Sequence, residues 1–110
     1  MNFSMNWNPV LITCQLEITP EAERDIFAIA SNIKQQKSLA AARLAVAELK
    51  KQLNTLAELP ESGRVGGADG TREIVITGLP FIAIYEKTDA SVTILRVLYG
   101  ADERRLGKRA

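Results

Sequence analysis

A run of apolar residues in the middle of the chain constrains the fold more than any other sequence feature. Its members recur at alternating spacings of three and four: Leu39, Ala42, Val46, Leu49, Leu53 and Leu56. This spacing places every one of them on the same face of an α-helix. Ser38 suits the N-cap, because its hydroxyl can accept a bond from a free backbone N–H. The pattern predicts a long helix that begins after Ser38 and ends before Pro60.

A second amphipathic segment precedes this helix. Thr19 can cap a helix whose first position is Pro20, and the acidic Glu21 suits the positive end of its dipole. The segment predicts a helix over residues 20–36 with a buried stripe of Ala22, Ile26, Ile29, Ala30 and Ile33. Only residues 36–38 separate the two helices, which favours an antiparallel hairpin. Its apolar stripes would cover the protein's own sheet, or alternatively meet a partner helix.

Strand patterns lie on both sides of the helical hairpin. Residues 12–18 alternate so that Ile12, Cys14, Leu16 and Ile18 share one face. Residues 73–77, 81–87 and 92–99 read as three strands joined by short turns, which predicts an antiparallel meander. We therefore expect one α+β domain over residues 1–110, in the order β-α-α-β-β-β, with an antiparallel sheet and the first strand on its edge. Residues 1–11 would be a flexible extension and residues 104–110 a basic tail.

A glycine-rich segment over residues 61–70 connects the hairpin to the meander. It contains Gly63, Gly66, Gly67 and Gly70, with Arg64 among them. A phosphate-binding loop needs a strand before it and a helix after it, whereas here the order is reversed. A simple helix-to-sheet connection is therefore the better interpretation.

Composition excludes several kinds of site. Cys14 is the only cysteine and the chain has no histidine, so an internal disulfide is impossible and zinc would depend on carboxylates. We expect no metal and no other cofactor. Residues 1–14 carry no Lys or Arg and only a short apolar run, which fits neither a signal peptide nor a membrane span. A cytoplasmic location is the resulting prediction.

The charge balance argues against a dedicated nucleic-acid binder. Lys and Arg number 14 against 13 Asp and Glu, so the net charge of +1 gives little long-range attraction to phosphates. The exception is a C-terminal cluster of Arg104, Arg105, Lys108 and Arg109. This cluster is either a solvated tail or a contact to an acidic partner.

Several short motifs occur in a fixed order along the chain. They are Thr-Pro-Glu-Ala-Glu-Arg-Asp at 19–25, Pro-Glu-Ser-Gly-Arg at 60–64, Gly-Thr-Arg-Glu at 70–73, and the strand segments 80–85 and 94–102. The ordered set resembles the ParE/RelE superfamily of toxins from type II toxin–antitoxin systems. The resemblance extends over residues 12–103 and implies the same fold that the periodicity predicts.

The resemblance also implies partners. RelE-like members cut messenger RNA on the ribosome, whereas ParE-like members poison DNA gyrase, and the fold alone does not separate them. A toxin of either kind implies a cognate antitoxin, ParD-like or related, with a disordered segment that folds on the toxin to give a hetero-oligomer. Its expected docks are the apolar grooves beside the helical hairpin and an open sheet edge.

Cleavage of RNA through the 2′-hydroxyl needs a base, an acid and cations for the phosphorane. Ile82 occupies a position where RelE-like nucleases often carry Arg, and Tyr99 one that is often His in related sequences. The groups left for such chemistry are Arg64, Arg72, Arg96 and Tyr99, with Lys50 and Lys51 at the margin.

Each of these groups also has a structural interpretation. Arg72 can pair with Glu73 or Glu86 across the meander. Arg96 is an even number of residues away from Val92, Ile94 and Leu98, so regular alternation places it on their apolar face. Its aliphatic stem is therefore expected to pack with them. The hydroxyl of Tyr99 can serve structure alone, and Tyr85 is expected in the core. Trp7 either anchors the N-terminal extension or contacts a partner.

The sequence favours a ParE-like toxin that binds gyrase and has no catalytic residues. Its candidate target-binding residues are Arg64, Arg72, Arg96, Tyr99, Arg104 and Arg105. The alternatives are a RelE-like ribosome-dependent endoribonuclease that uses the first four, and a degenerate, non-toxic binding or repressor module.

Overall fold

The computed structural model describes residues 15–100, which form two helices and five strands. In chain order these are β1 Gln15–Ile18, α1 Pro20–Gln36, α2 Leu39–Glu58, β2 Arg64–Val65, β3 Arg72–Val75, β4 Phe81–Lys87 and β5 Ser91–Tyr99. The predicted strand positions Ile12 and Cys14, Trp7, the extension over 1–11 and the basic tail over 104–110 lie outside the described residues.

Both helices begin where the sequence predicts. The hydroxyl of Thr19 accepts a hydrogen bond of 3.1 Å from the Ala22 N–H, and that of Ser38 accepts one of 3.0 Å from the Ala41 N–H. These bonds satisfy backbone donors that the first turn of a helix leaves without a partner. In α1 the inner residues Ala22, Ile26 and Ile29 are buried, while Ala30 and Ile33 are only partly covered.

The sheet has the strand order β1-β5-β4-β3-β2. Strands β3, β4 and β5 form the predicted antiparallel meander. Strand β1 lies on the predicted edge, but it runs parallel to β5, from Gln15 beside Ser91 to Ile18 beside Ile94. The sheet is therefore mixed, and the prediction of a fully antiparallel sheet was wrong. Alternation along a strand reports which face is buried and gives no information on the direction of the neighbouring strand.

A short fifth strand lies inside the segment predicted as a loop. Arg64 and Val65 of β2 pair antiparallel with Glu73 and Arg72 of β3 and form the other edge of the sheet. Both β2 residues are exposed, so no alternation marks them in the sequence. The positive φ of Gly70, 79°, belongs to the turn between β2 and β3, where glycine has no steric penalty.

The core lies between the helices and one face of the sheet. Its largest side chains, each less than 2% exposed or close to that value, are Leu49, Leu53, Leu56, Ile76, Phe81, Tyr85, Val92, Ile94 and Val97. Strand β5 contributes to this core with a change of parity. Val92 and Ile94 are buried two residues apart, as regular alternation requires. Val97 is also buried, although it lies three residues after Ile94 and regular alternation would place it on the other face.

A bulge in β5 causes that change. Strand β4 residues Ile84 and Tyr85 are consecutive, but their partners on β5 are Arg96 and Ile94, so Leu95 is an extra residue. An extra residue in one strand reverses the faces of all that follow. Arg96 therefore does not share the buried face of Ile94, and the predicted packing of its stem with that face was wrong.

Candidate functional site

The side chain of Arg96 is held by a carboxylate from α1. Its Nε lies 2.7 Å from Oδ2 of Asp25 and its Nη2 lies 3.0 Å from Oδ1. The Asp25 side chain is 14% exposed and that of Arg96 is 49% exposed. The hydrogen bond with Asp25 is the main reason that the pKa of Arg96 is raised, with the partial burial of the guanidinium opposing it. Two parallel N–H···O bonds fix both the position and the plane of the guanidinium.

Asp25 also closes the edge of the sheet. Strand β1 ends at Ile18, so β5 continues beyond it without a neighbouring strand on that side. The Val97 N–H donates to Asp25 Oδ2 at 2.9 Å, and the Thr19 hydroxyl donates to the Leu95 carbonyl at 3.1 Å. Side chains at the start of α1 thus replace the hydrogen bonds of a strand that stops early.

Tyr99 lies at the end of β5, on the face opposite Arg96. Its side of the strand faces α1, where its hydroxyl accepts a bond of 2.8 Å from the Asn32 amide. Its ring meets the Phe81 ring edge-on, with centroids 5.1 Å apart and planes at 63°. The residue is 36% exposed, so part of the ring contacts solvent.

Arg64 lies at the opposite side of the sheet and pairs with a buried carboxylate. Its Nη2 is 3.2 Å from Oε1 of Glu73, whose side chain is 2% exposed. The other oxygen of Glu73 accepts a bond of 3.3 Å from the Gly67 N–H. Glu73 therefore joins β2 and the turn after it to β3.

Arg72 pairs with the segment after α2. Its Nη1 donates to the Gly63 carbonyl at 2.9 Å, and its Nη2 lies 3.1 Å from Glu61. Lys87 binds the second oxygen of Glu61 at 3.2 Å. Pairing of Arg72 was anticipated, but with Glu73 or Glu86; the partner is Glu61, which the sequence places in the loop before β2.

Tyr85 binds the same loop through two hydrogen bonds of its hydroxyl. It is fully buried, as predicted, and its hydroxyl donates to the Pro60 carbonyl at 2.8 Å and accepts from the Gly63 N–H at 2.9 Å. Burial raises the pKa of this phenol above its ordinary value, with the Gly63 hydrogen bond and nearby Arg72 opposing that shift. The loop that carries the partners of Arg72 is thereby attached to the core.

The four candidate nuclease residues do not converge. Arg64, Glu73, Ile84 and Arg96 form one row across four strands, so Arg64 and Arg96 stand three strand spacings apart, roughly 14 Å. Arg72 and Tyr99 belong to the other face, which the helices cover, and their partners on β4, Tyr85 and Phe81, are four residues apart.

The remaining candidates lie elsewhere. Lys50 and Lys51 are exposed on α2, and Arg104 and Arg105 lie outside the described residues.

Two apolar grooves flank the helical hairpin. One, of about 470 Å³, lies between α1 and α2 and includes Phe27, which is 74% exposed, together with Lys34 and Arg43. The other, of about 440 Å³, lies between the hairpin and the β3–β4 turn and includes Leu44, which is 73% exposed. Large exposed apolar side chains beside a groove are typical of protein–protein contact surfaces.

Within residues 15–100, no three Cys, Asp or Glu side chains are grouped so that they could hold a metal ion. No helix in that same range is long and apolar enough to cross a membrane.

Comparison with known proteins gives the family. The family model for the ParE toxin of the type II toxin–antitoxin system parDE matches residues 16–104. The chain belongs to the ParE toxin family. It is therefore a toxin of a type II toxin–antitoxin system, as the ordered motifs indicated.

Two relatives of this ParE-family chain have the word toxin in their names. Toxin RelE2 of Caulobacter vibrioides is 38% identical over 87 residues, which is 79% of this chain and 96% of that protein. The Y4kP protein of Sinorhizobium fredii is 37% identical over 81 residues, 74% of this chain and 82% of that protein.

A solved structure supports the fold of the ParE-family toxin. A chain from the chromosomal ParDE TA system of P. aeruginosa matches with a TM-score of 0.70 and 22% identity, covering 79% of this chain and 96% of that one. At this identity the likeness concerns the fold alone. It agrees with two helices packed on a sheet.

Asp25 and Phe27 were not identified from the sequence of the toxin, although one of them carried a signal. Asp25 is three residues after Ala22 and four before Ile29, so it stands on the buried stripe of α1. An acidic residue on such a stripe usually has a polar partner. Phe27 lies off the stripe and is a single exposed aromatic, which sequence alone does not distinguish from an ordinary surface residue.

Proposed function

We propose that this ParE-family toxin inhibits DNA gyrase by binding to it and that it does not cleave RNA. The observation that supports this most is the separation of Arg64 from Arg96 by roughly 14 Å along their cross-strand row. A phosphorane is stabilised by groups that meet at one phosphate, within hydrogen-bond distance of its oxygens. The described candidates have no such meeting point.

Internal pairing of the cations supports the same proposal. The guanidiniums of Arg64, Arg72 and Arg96 lie within 3.2 Å of Glu73, Glu61 and Asp25 respectively. A carboxylate at that distance offsets much of the positive charge that would act on a developing oxyanion. A binding surface tolerates such pairs, because partly neutralised guanidiniums still present directed N–H donors.

The second candidate function is a ribosome-dependent endoribonuclease. It is favoured by the 38% identity to a protein named Toxin RelE2. In this case Arg64, Arg72, Arg96 and Tyr99 would have to be brought together on the ribosome.

Induction of the toxin in growing cells separates the two functions. Primer extension on cellular messages would show cuts within translated codons if the toxin is a nuclease. Intact messages together with an SOS response and broken chromosomal DNA are expected for a gyrase inhibitor. Induction with no loss of growth would support the degenerate, non-toxic module instead.

The partner that neutralises this toxin is proposed to be a ParD-like antitoxin. The groove beside Phe27 suits the apolar face of a helix, and Lys34 and Arg43 at that groove favour acidic residues on the helix. Strand addition is expected at the outer edge of β1 or β2, since Asp25 already occupies the Val97 N–H on β5. Co-expression tests the pairing: a cognate antitoxin restores growth and co-purifies with the toxin.

A further inference from the structure

We propose that Asp25 is a positioning residue that holds Arg96 for contact with an acidic side chain of the target protein. The proposal rests on the proposed function, in which the toxin acts by binding. Asp25 lies on α1, outside the 94–102 segment that contains Arg96, and the two residues meet only in the folded chain.

The pairing geometry leaves one side of Arg96 directed outward. Asp25 engages Nε and Nη2, which form the side edge of the guanidinium. The end edge, formed by Nη1 and the second N–H of Nη2, points away from that carboxylate. Because the Arg96 side chain is 49% exposed, this second fork of donors is accessible to a planar carboxylate.

The backbone supports the same role. The bulge at Leu95 turns Arg96 off the buried face, and the Val97 N–H bond to Asp25 fixes the strand immediately after it. Bulges commonly redirect a side chain beside a functional site. An arginine with both backbone and guanidinium fixed loses less conformational entropy on binding than a mobile one.

Arg24 offers a matched control on the same helix as Asp25. Arg24 and Glu21 lie 3.8 Å apart in α1, with side chains 73% and 61% exposed. Arg24 carries the same charge as Arg96 but lacks its bidentate pairing, whereas the Glu21 carboxylate also acts electrostatically on Arg96 and is left unchanged. The net charge of +1 favours a protein carboxylate over nucleic acid as the group that Arg96 meets.

The test is a double-mutant cycle of Asp25→Asn and Arg96→Ala, read as the inducer concentration that halves growth rate, with toxin levels matched. Asp25→Asn keeps an acceptor for the Val97 N–H and removes the charge that orients Arg96. Each single variant is expected to raise the required inducer by about tenfold. The double variant is expected to match Arg96→Ala alone, since Asp25 acts only through Arg96. Arg24→Ala, which removes an exposed charge from the same helix, is expected to leave the value unchanged.

The possible failures are distinguishable. Full toxicity of Asp25→Asn, or a double variant whose loss is the product of the two single losses, overturns the positioning role. Loss of the fold is measured separately by thermal unfolding, and Arg96→Lys, which keeps the charge but lacks the fork, must also lose toxicity. Growth arrest without gyrase inhibition by the wild-type toxin would overturn the proposed function while leaving the cycle informative. A wild-type chain that arrests no growth would overturn both.

Discussion

The hydroxyl of Tyr85, on β4, accepts a hydrogen bond of 2.9 Å from the backbone N–H of Gly63, and the same hydroxyl donates to the Pro60 carbonyl at 2.8 Å. Both bonds are made by a fully buried side chain. They attach the end of α2 to the sheet and set the position of the Gly63 carbonyl that Arg72 binds. The phenol of Tyr85 thus holds the loop between the helical hairpin and the meander from the core side, together with the contacts that Arg72 and Lys87 make to it.

Replacement of Tyr85 by Phe removes that attachment. The substitution leaves the Gly63 N–H and the Pro60 carbonyl without their partner, so we expect the free energy of unfolding to fall by about 1–3 kcal/mol. Urea unfolding followed by circular dichroism measures it. Tyr99→Phe is the control: that hydroxyl accepts only a more exposed bond from Asn32, and its loss should cost less than about 1 kcal/mol. Equal stability of Tyr85→Phe and wild type would contradict this role.

Replacement of Gly63 by Ala tests the same contact from the other side. A Cβ on Gly63 would clash with the Tyr85 hydroxyl and lie 2.7 Å from the Glu73 carbonyl oxygen, so the loop would have to move. We expect a loss of about 1–3 kcal/mol in the free energy of unfolding. At Gly100 the nearest atom to an added methyl group would be the Pro80 carbonyl oxygen at 3.7 Å, so Gly100→Ala should be tolerated. If both variants unfold at the same denaturant concentration as wild type, the close approach at Gly63 is not a constraint.

The loss of folding stability at alkaline pH should depend on Tyr85. Burial raises the pKa of its phenol above the ordinary value of 10.0, so the folded protein keeps a proton that the unfolded chain releases. This stability is fully present below pH 10.0 and is lost as the pH rises from there through the pKa of the folded state. Thermal unfolding between pH 9 and 12, roughly, should show a steeper decline for wild type than for Tyr85→Phe. Parallel declines would mean that the phenol titrates alike in both states.

Replacement of Phe27 by Glu tests the proposed antitoxin groove. The side chain is 74% exposed, so the free energy of unfolding should change little, while an apolar helix face would meet a charge. We expect the affinity for the purified antitoxin to fall by about tenfold or more, measured by calorimetry. Val75→Glu is the matched control, because Val75 is 56% exposed on a strand remote from this groove. Unchanged binding by Phe27→Glu would place the antitoxin elsewhere.

Much of the fold could be predicted because it depends on local patterns. The caps Thr19 and Ser38, the two helical stripes and the three-strand meander are all encoded within short windows of sequence. The parallel direction of β1 could not be predicted in this way, because it depends on which strand the chain returns to after two helices. Nor could β2, whose two exposed residues carry no alternation.

The site was less predictable for a related reason. Arg96 was identified as a candidate, but the bulge at Leu95 puts it on the face opposite Val92 and Ile94, so its predicted packing with them was wrong. Asp25 lies on a different element, far away in sequence, and meets Arg96 only in the folded chain. Separation of Arg64 from Arg96 by two intervening strands likewise requires the strand order, which no single segment encodes.

Supercoiling of relaxed plasmid by purified gyrase, with and without the purified toxin, tests the central claim most directly. We expect the toxin to block supercoiling and to increase the amount of cleaved plasmid, and the antitoxin to reverse both effects. The toxin preparation must first be shown to arrest growth when expressed. Normal supercoiling in the presence of an excess of such active toxin would contradict gyrase as its target.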